Sequence, residues 1–163
     1  MSQIKVILVD YKNKAHASDL SFLLDEYAKD PMGGTEPLSV RVKQTVVTEL
    51  SRLSYAFSII CYVDGMPAGL SNCFDSFSTF ACKPIINIHD FVVLKEFRGK
   101  NLSQKMLQKI EDIAISKGCC KITLEVLSGN EIAKKTYKKF GFCDYELNSE
   151  TGSAVFWQKQ ITS

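Results

Sequence analysis

No run of apolar residues in this chain is long enough to cross a bilayer. The longest uncharged apolar stretch, YAFSIICYV, has nine residues, where a spanning helix needs about twenty. The opening MSQIKVILVDYKNK reads as no signal peptide, because charge and polarity interrupt its apolar run early. Histidine is scarce at two residues, and the six cysteines form no C-x-x-C pair and no ligand spacing with them. No metal site is therefore expected. The cysteines read instead as reduced, mostly buried thiols of a cytoplasmic protein. Net charge is also low, and +2 is too weak a balance to argue for nucleic acid. Membranes and nucleic acids are thus absent from the expected partners.

What is there describes an ordinary globular chain. With 163 residues, 45% of them hydrophobic and 23% charged, it is expected to fold as a single domain over 1–163 with a sizeable core. The small net charge hides an asymmetry. Residues 1–90 carry 8 basic and 10 acidic side chains, while 91–163 carry 12 and 8. A solvated helix face explains many such imbalances. The sharper reading is an anionic ligand on the second half and a cationic one facing the first.

The order of elements is α/β. IKVILVD is a β-branched opening strand. DLSFLLDEYAKD has helical spacing, with Ser18 as the predicted N-cap. DPMGGTEP, residues 30–37, puts two prolines and two glycines in eight residues and must be a loop. A second helix is predicted from Ser39 to Leu53. FSIICYV and PAGLSNCF form a hairpin around Asp64-Gly65. FDSFSTFACKP is an aromatic-rich connection, followed by a strand over residues 85–94. Residues 101–117 form an amphipathic helix closed by Gly118. KITLEVL is a strand, 130–140 a helix, and FCDYEL and SAVFWQKQ two final strands.

The richest segment is RGKNLSQKML, Arg98 to Leu107, where a strand feeds a basic turn and then a helix. A helix start carries unpaired N–H groups and about half a positive charge, which suits phosphate oxygens. Arg98 and Lys100 add cations there, and Gly99 lets the main chain approach closely. By itself the pattern is compatible with an idle turn. Downstream stands NEIAKKTYKKFGF. Taken together, V-x-x-x-x-R-G-K-N-x-S and N-x-x-A-x-x-x-Y-x-x-x-G-F resemble the GNAT superfamily of acetyl-CoA-dependent N-acetyltransferases. The motifs span residues 85–142, and the element order extends the resemblance to nearly the whole chain. The family's loop usually reads R/Q-x-x-G-x-G/A, and this sequence departs from it at Asn101 and Ser103. Asn is the non-glycine residue that best tolerates a left-handed backbone, and serine is nearly as small as alanine.

The resemblance implies a GNAT-like fold: a mixed, mostly antiparallel sheet with a splayed parallel strand pair, flanked by about four helices. It implies acetyl-CoA as cosubstrate, with main-chain groups around Val93 and the side chain of Asn130 on the pantetheine arm. Arg98, Gly99, Lys100, Asn101, Leu102 and Ser103 would take the pyrophosphate. Tyr137 stands at the general-acid position, where a phenol can protonate the departing thiolate. Two residues compete for the base. Glu125, expected on the KITLEVL strand between Leu124 and Val126, matches the base of ribosomal-protein alanine N-acetyltransferases. His89 matches a histidine of arylalkylamine N-acetyltransferases, and imidazole works near neutrality without tuning.

The expected reaction is transfer of acetyl to a primary amine, small-molecule or peptide, by direct attack in a ternary complex. The alternative is a non-catalytic module on the same fold that binds acyl-CoA or a protein partner. Homodimers are frequent among the proteins resembled, and a homodimer is carried as a possibility. On the acceptor side, Asp30 and Glu36 at the ends of a glycine-containing loop invite a cationic amine. Phe74, Phe77 and Phe80 read as core packing rather than a substrate cage.

Overall fold

The computed structural model describes residues 1–161. Its elements are β1 (Ile4–Leu8), α1 (Lys14–Lys29), α2 (Val40–Arg52), β2 (Ala56–Val63), β3 (Met66–Ser78), β4 (Lys83–Val93), α3 (Leu102–Ser116), β5 (Lys121–Leu124) and α4 (Glu131–Phe140), with a short 3-10 turn at Lys95–Phe97. Met1–Leu124 form one compact unit, and a second begins at Glu125.

The first unit is a five-stranded sheet in chain order, β1-β2-β3-β4-β5. Neighbours run antiparallel except β4 and β5, which are parallel. This is the mixed, mostly antiparallel sheet with one parallel pair that was expected; three helices lie in this unit and the fourth, α4, in the second. Cross-strand partners share a face of the sheet. Ile60, Leu70 and Val92 therefore face one way, where they join Val9, Leu20, Leu23, Leu50 and Leu94 in a core with α1 and α2. Gly69, next to Leu70, faces the other way, towards α3. A Cβ there would come within 2.8 Å of Met106 Sδ and 2.9 Å of Val92 O. The thioether end can shift but the carbonyl of the neighbouring strand cannot, so glycine fits here without strain. Leu102, Met106, Leu107, Ile110 and Ala114 bury the apolar side of that helix.

Local signals located most elements. Asp64 and Gly65 both take positive φ, at 50° and 81°, as a two-residue hairpin turn requires. Ser39 caps α2 through Val42 N. Other expectations are corrected. Helix α1 starts a turn before Ser18, because Asn13 Oδ1 accepts from Ala15 N and His16 N. The aromatic connection is largely strand: β3 runs on to Ser78 because Asp75 to Ser78 pair with Lys83 to Ile86. Strand β5 stops at Leu124, so Glu125 lies beyond it. The two final strands reduce to one bridge, Glu146↔Ser153. Asn148 Oδ1 accepts from both Glu150 N and Thr151 N, so a side-chain-closed turn forms where longer pairing does not follow.

Candidate active site

Strand β4 changes character at His89. Asn72 of β3 pairs with Asp90, and Cys73 pairs with Ile88. His89 is therefore an extra residue, a β-bulge, and the alternation of faces reverses there. Before it, Ile86 and Ile88 lie on the α3 side; after it, Asp90 and Val92 lie on the α1–α2 side with Asn72 and Leu70. The parallel ladder with β5 ends at the same level, at Ile88↔Leu124, while β4 continues to Val93. The His89 ring, exposed, sits edge-on to Phe74 at 5.4 Å between centroids. Phe74 packs against the α1–α2 core. The bulge thus presents His89 and Asp90 on one face, although neighbours in a regular strand would point oppositely.

Beyond Val93 the chain makes its 3-10 turn and enters the Arg98–Ser103 loop. Gly99 has φ 78° and Asn101 φ 60°, so the left-handed conformation expected of Asn101 is present. A Cβ on Gly99 would meet nothing within 4 Å: the residue serves its backbone angle, and the space beside it is open. Asn101 precedes α3, yet its side chain caps no amide of the helix, and the first turn holds no acidic residue. Asn101 and the first turn thus supply neither a capping acceptor nor an acidic side chain to the start of α3. Lys100 Nζ lies 5.5 Å from the centre of the Phe97 ring.

Arg98 makes two side-chain hydrogen bonds within the chain. Its Nε donates to Val93 O at 3.0 Å, and Nη2 donates to Asp30 Oδ2 at 3.0 Å. The guanidinium ties together the end of β4, the start of the loop and the end of α1. Asp30 Oδ1 accepts from Met32 N at 2.9 Å. Those contacts, the Met32 N–H first and Arg98 after it, hold the Asp30 carboxyl below its ordinary range against the effect of burial. Asp30 is therefore the anchor of the residue 30–37 loop, with both oxygens in use. The far end is anchored by Asp25, which accepts from Leu38 N at 2.8 Å and pairs with Lys29 at 3.0 Å. Glu36 is exposed. Of the three phenylalanines assigned to the core, Phe77 and Phe80 are exposed and only Phe74 packs against it.

The second unit holds the other motif. Asn130 caps α4, its Oδ1 accepting from Ala133 N at 3.1 Å, which leaves its amide nitrogen as the donor end. Tyr137 is buried, its ring edge-on to Phe142 at 5.8 Å. Gly141, at φ 114°, closes the helix. Glu125 is exposed.

The thiols do not supply a nucleophile from the core. Burial pushes Cys61 to about 11 and Cys73 to about 12, so both stay protonated near neutrality. Cys82, Cys120 and Cys143 are exposed, which corrects the expectation of mostly buried cysteines. Sequence reasoning also missed Asn72, Ser58 and Ser71, which are buried polar residues in the sheet. Their signal was a Ser-Asn pair at the centre of an otherwise apolar strand.

A model of the acetyltransferase (GNAT) family matches residues 19–142. The chain belongs to the acetyltransferase (GNAT) family. Within it, the chain is 35% identical over 69 residues to a thialysine N-epsilon-acetyltransferase of Bos taurus, a match covering 42% of this chain and 40% of that protein. The match therefore spans less than half of the relative's length. The GNAT fold itself is shared almost end to end with solved structures. A crystal structure of a probable acetyltransferase superposes with a TM-score of 0.78 at 17% identity, covering 96% of this chain and 99% of the other. An aminoglycoside N-acetyltransferase in complex with CoA superposes with a TM-score of 0.74 at 17% identity, covering 99% and 97%.

Proposed function

We propose that this GNAT protein transfers an acetyl group from acetyl-CoA to a primary amine by direct attack in a ternary complex. The observation that carries this is the uncapped start of α3, entered through the left-handed Asn101 and the open Gly99. It presents main-chain donors to a pyrophosphate, and Asn101 and Ser103 put no bulk in the way. Lys100 adds a cation. Arg98 acts as a strut, given its bonds to Val93 and Asp30. Main-chain groups around Val93 bind the pantetheine arm, and the amide nitrogen of Asn130 donates to it.

An ammonium must lose a proton before it attacks, and the departing thiolate gains from receiving one. Tyr137 is the acid by its place in the motif. Of the two bases, the bulge favours His89, which it turns to the same face as Asp90; Glu125 remains the rival. His89→Gln and Glu125→Gln are separated by the acidic limb of the pH–rate profile, which only the true base removes. Tyr137→Phe is expected to lower turnover by about 100-fold or more with CoA affinity unchanged. Unaltered turnover on a verified acceptor removes Tyr137 from this role.

The deciding experiment is a thermal-shift titration with acetyl-CoA, with adenosine 3′,5′-bisphosphate for comparison. Ligand at about 100 times Kd adds ~2.7 kcal/mol, several degrees for a domain of this size. No shift at millimolar acetyl-CoA overturns the proposal in favour of a protein-interaction module. A shift with no transfer to any amine leaves an acyl-CoA-binding module.

A further inference from the structure

A line of polar side chains crosses the α1–α2 face of the sheet where apolar packing would be expected. Tyr11 OH and Ser58 Oγ are 2.8 Å apart. Ser58 Oγ donates to Asn72 Oδ1 at 2.6 Å, and Asn72 Nδ2 donates to Asp90 Oδ2 at 2.9 Å. Ser58 has one proton and gives it to Asn72, so Tyr11 is the donor to Ser58. Every donor in the chain points towards the Asp90 carboxylate. Ser71 Oγ fixes the Asp90 main chain, donating to its carbonyl at 2.8 Å. Ser58, Ser71 and Asn72 are 0%, 0% and 2% exposed. Buried polar groups of this kind add little net stability over apolar ones of the same shape, whereas a fully satisfied network fixes its end group in one orientation. An amide in the middle does not readily pass a proton along, so the line orients Asp90 rather than conducting to it.

Asp90 also differs from its neighbour Asp30. Both bear on Tyr27, whose hydroxyl is raised by burial first and by the charges of Asp90 and Asp30 after it. Asp30 is neutralised by Arg98. Asp90 accepts from a neutral amide, and no described cation pairs with it. A half-buried carboxylate, oriented from below and without a counter-ion, draws a cation.

Resting on the acetyltransferase reading above, we propose that Asp90 is the residue that anchors the cationic amine acceptor, and that Asn72 and Ser58 are its positioning residues. The bulge sets this carboxylate beside His89 on one face, so an ammonium held by Asp90 is presented to the base. Favoured acceptors are then aliphatic amines, charged near neutrality, over arylamines, which are neutral there.

The test is steady-state kinetics on a panel of aliphatic and aromatic primary amines. Asp90→Asn should raise the KM of aliphatic amines at least 10-fold and far more than that of arylamines, with the KM of acetyl-CoA held. Ser58→Ala and Asn72→Ala should raise the aliphatic KM about 3-fold to 10-fold, and Ser58→Thr should restore it. Neither alanine variant should add to the KM effect once Asp90 is already Asn; a merely structural role would add there as before. An active wild type whose amine KM is indifferent to Asp90→Asn overturns the inference and leaves the acetyltransferase reading standing. A wild type with neither acetyl-CoA binding nor transfer overturns both. Should Asp90→Asn fail to fold, the non-additive pair is replaced by Ser58→Ala alone, whose unchanged aliphatic KM overturns the positioning role.

Discussion

Three helices of this protein begin at an asparagine, and the three asparagines do opposite things. Asn13 and Asn130 have negative φ, at −75° and −86°, and fold their side chains back onto the amides of α1 and α4. Asn101 has φ 60° and ψ 20° and caps nothing. A side chain on a left-handed residue is swung away from the turn that follows, so it does not reach back to the amides. The first turn of α4 also carries Glu131, whereas that of α3 carries no acid. A capped helix start is satisfied within the chain and has little to offer an anion. The start of α3 forgoes an asparagine cap, and under the proposed function that is where the cofactor's phosphates are received.

The largest break in this contrast comes from charge. Asn101→Asp keeps a residue that tolerates the left-handed backbone but sets a carboxylate where phosphate belongs. CoA affinity should fall at least 10-fold, about 1.4 kcal/mol, with the melting temperature held or raised. Calorimetric titration beside a melt reads both, and unchanged affinity would mean that the phosphate lies elsewhere.

Asn130 sharpens the comparison at α4. Asn130→Ala removes a true cap and should cost about 1 kcal/mol of stability in a urea melt. Asn130→Asp keeps the capping oxygen and loses the donor nitrogen. It should hold stability while weakening CoA binding, which separates the two ends of one amide.

The smallest effect concerns the acid side of stability, where the strut behind Asn101 is tested. The carboxyls of Asp25 and Asp30 are held low, the former chiefly by Lys29 and the latter chiefly by the Met32 N–H. A carboxylate lowered by folding contributes stability that is fully present above its unfolded value, 3.8 for both. That contribution is lost as the pH falls through the lower folded value. Asp30→Asn should lower stability at pH 7 by the contribution that the ionised carboxylate makes there, modest because the Arg98 pair is partly exposed. It should also flatten the decline of stability below 3.8. An identical acid limb in wild type and variant would show that Asp30 carries none of it.

Much of this was legible in residues a few positions apart. Asp64-Gly65 specified its turn, Gly118 and Gly141 their helix ends, and Asn101 its left-handed backbone, because each depends on the conformational range of one or two residues. The helix motif at 130–142 was equally local. Ser18 misled because Asn13, five residues earlier, was the better cap. FDSFS was read as a connection because its strand pairing depends on a partner across the hairpin rather than on its own composition. The site was half readable. Arg98 was readable as a cation of the loop, whereas its bond to Asp30, 68 residues away, was not.

The sequence by itself determined the order of the elements, their turns and caps, and the family signature, since these rest on backbone preference and short-range spacing. Only the tertiary structure decided that His89 is a bulge, that the faces of β4 therefore exchange, and that Asp90 ends a buried polar line from Tyr11. Those outcomes depend on register between strands and on hydrogen bonds that exist only once distant segments have aligned.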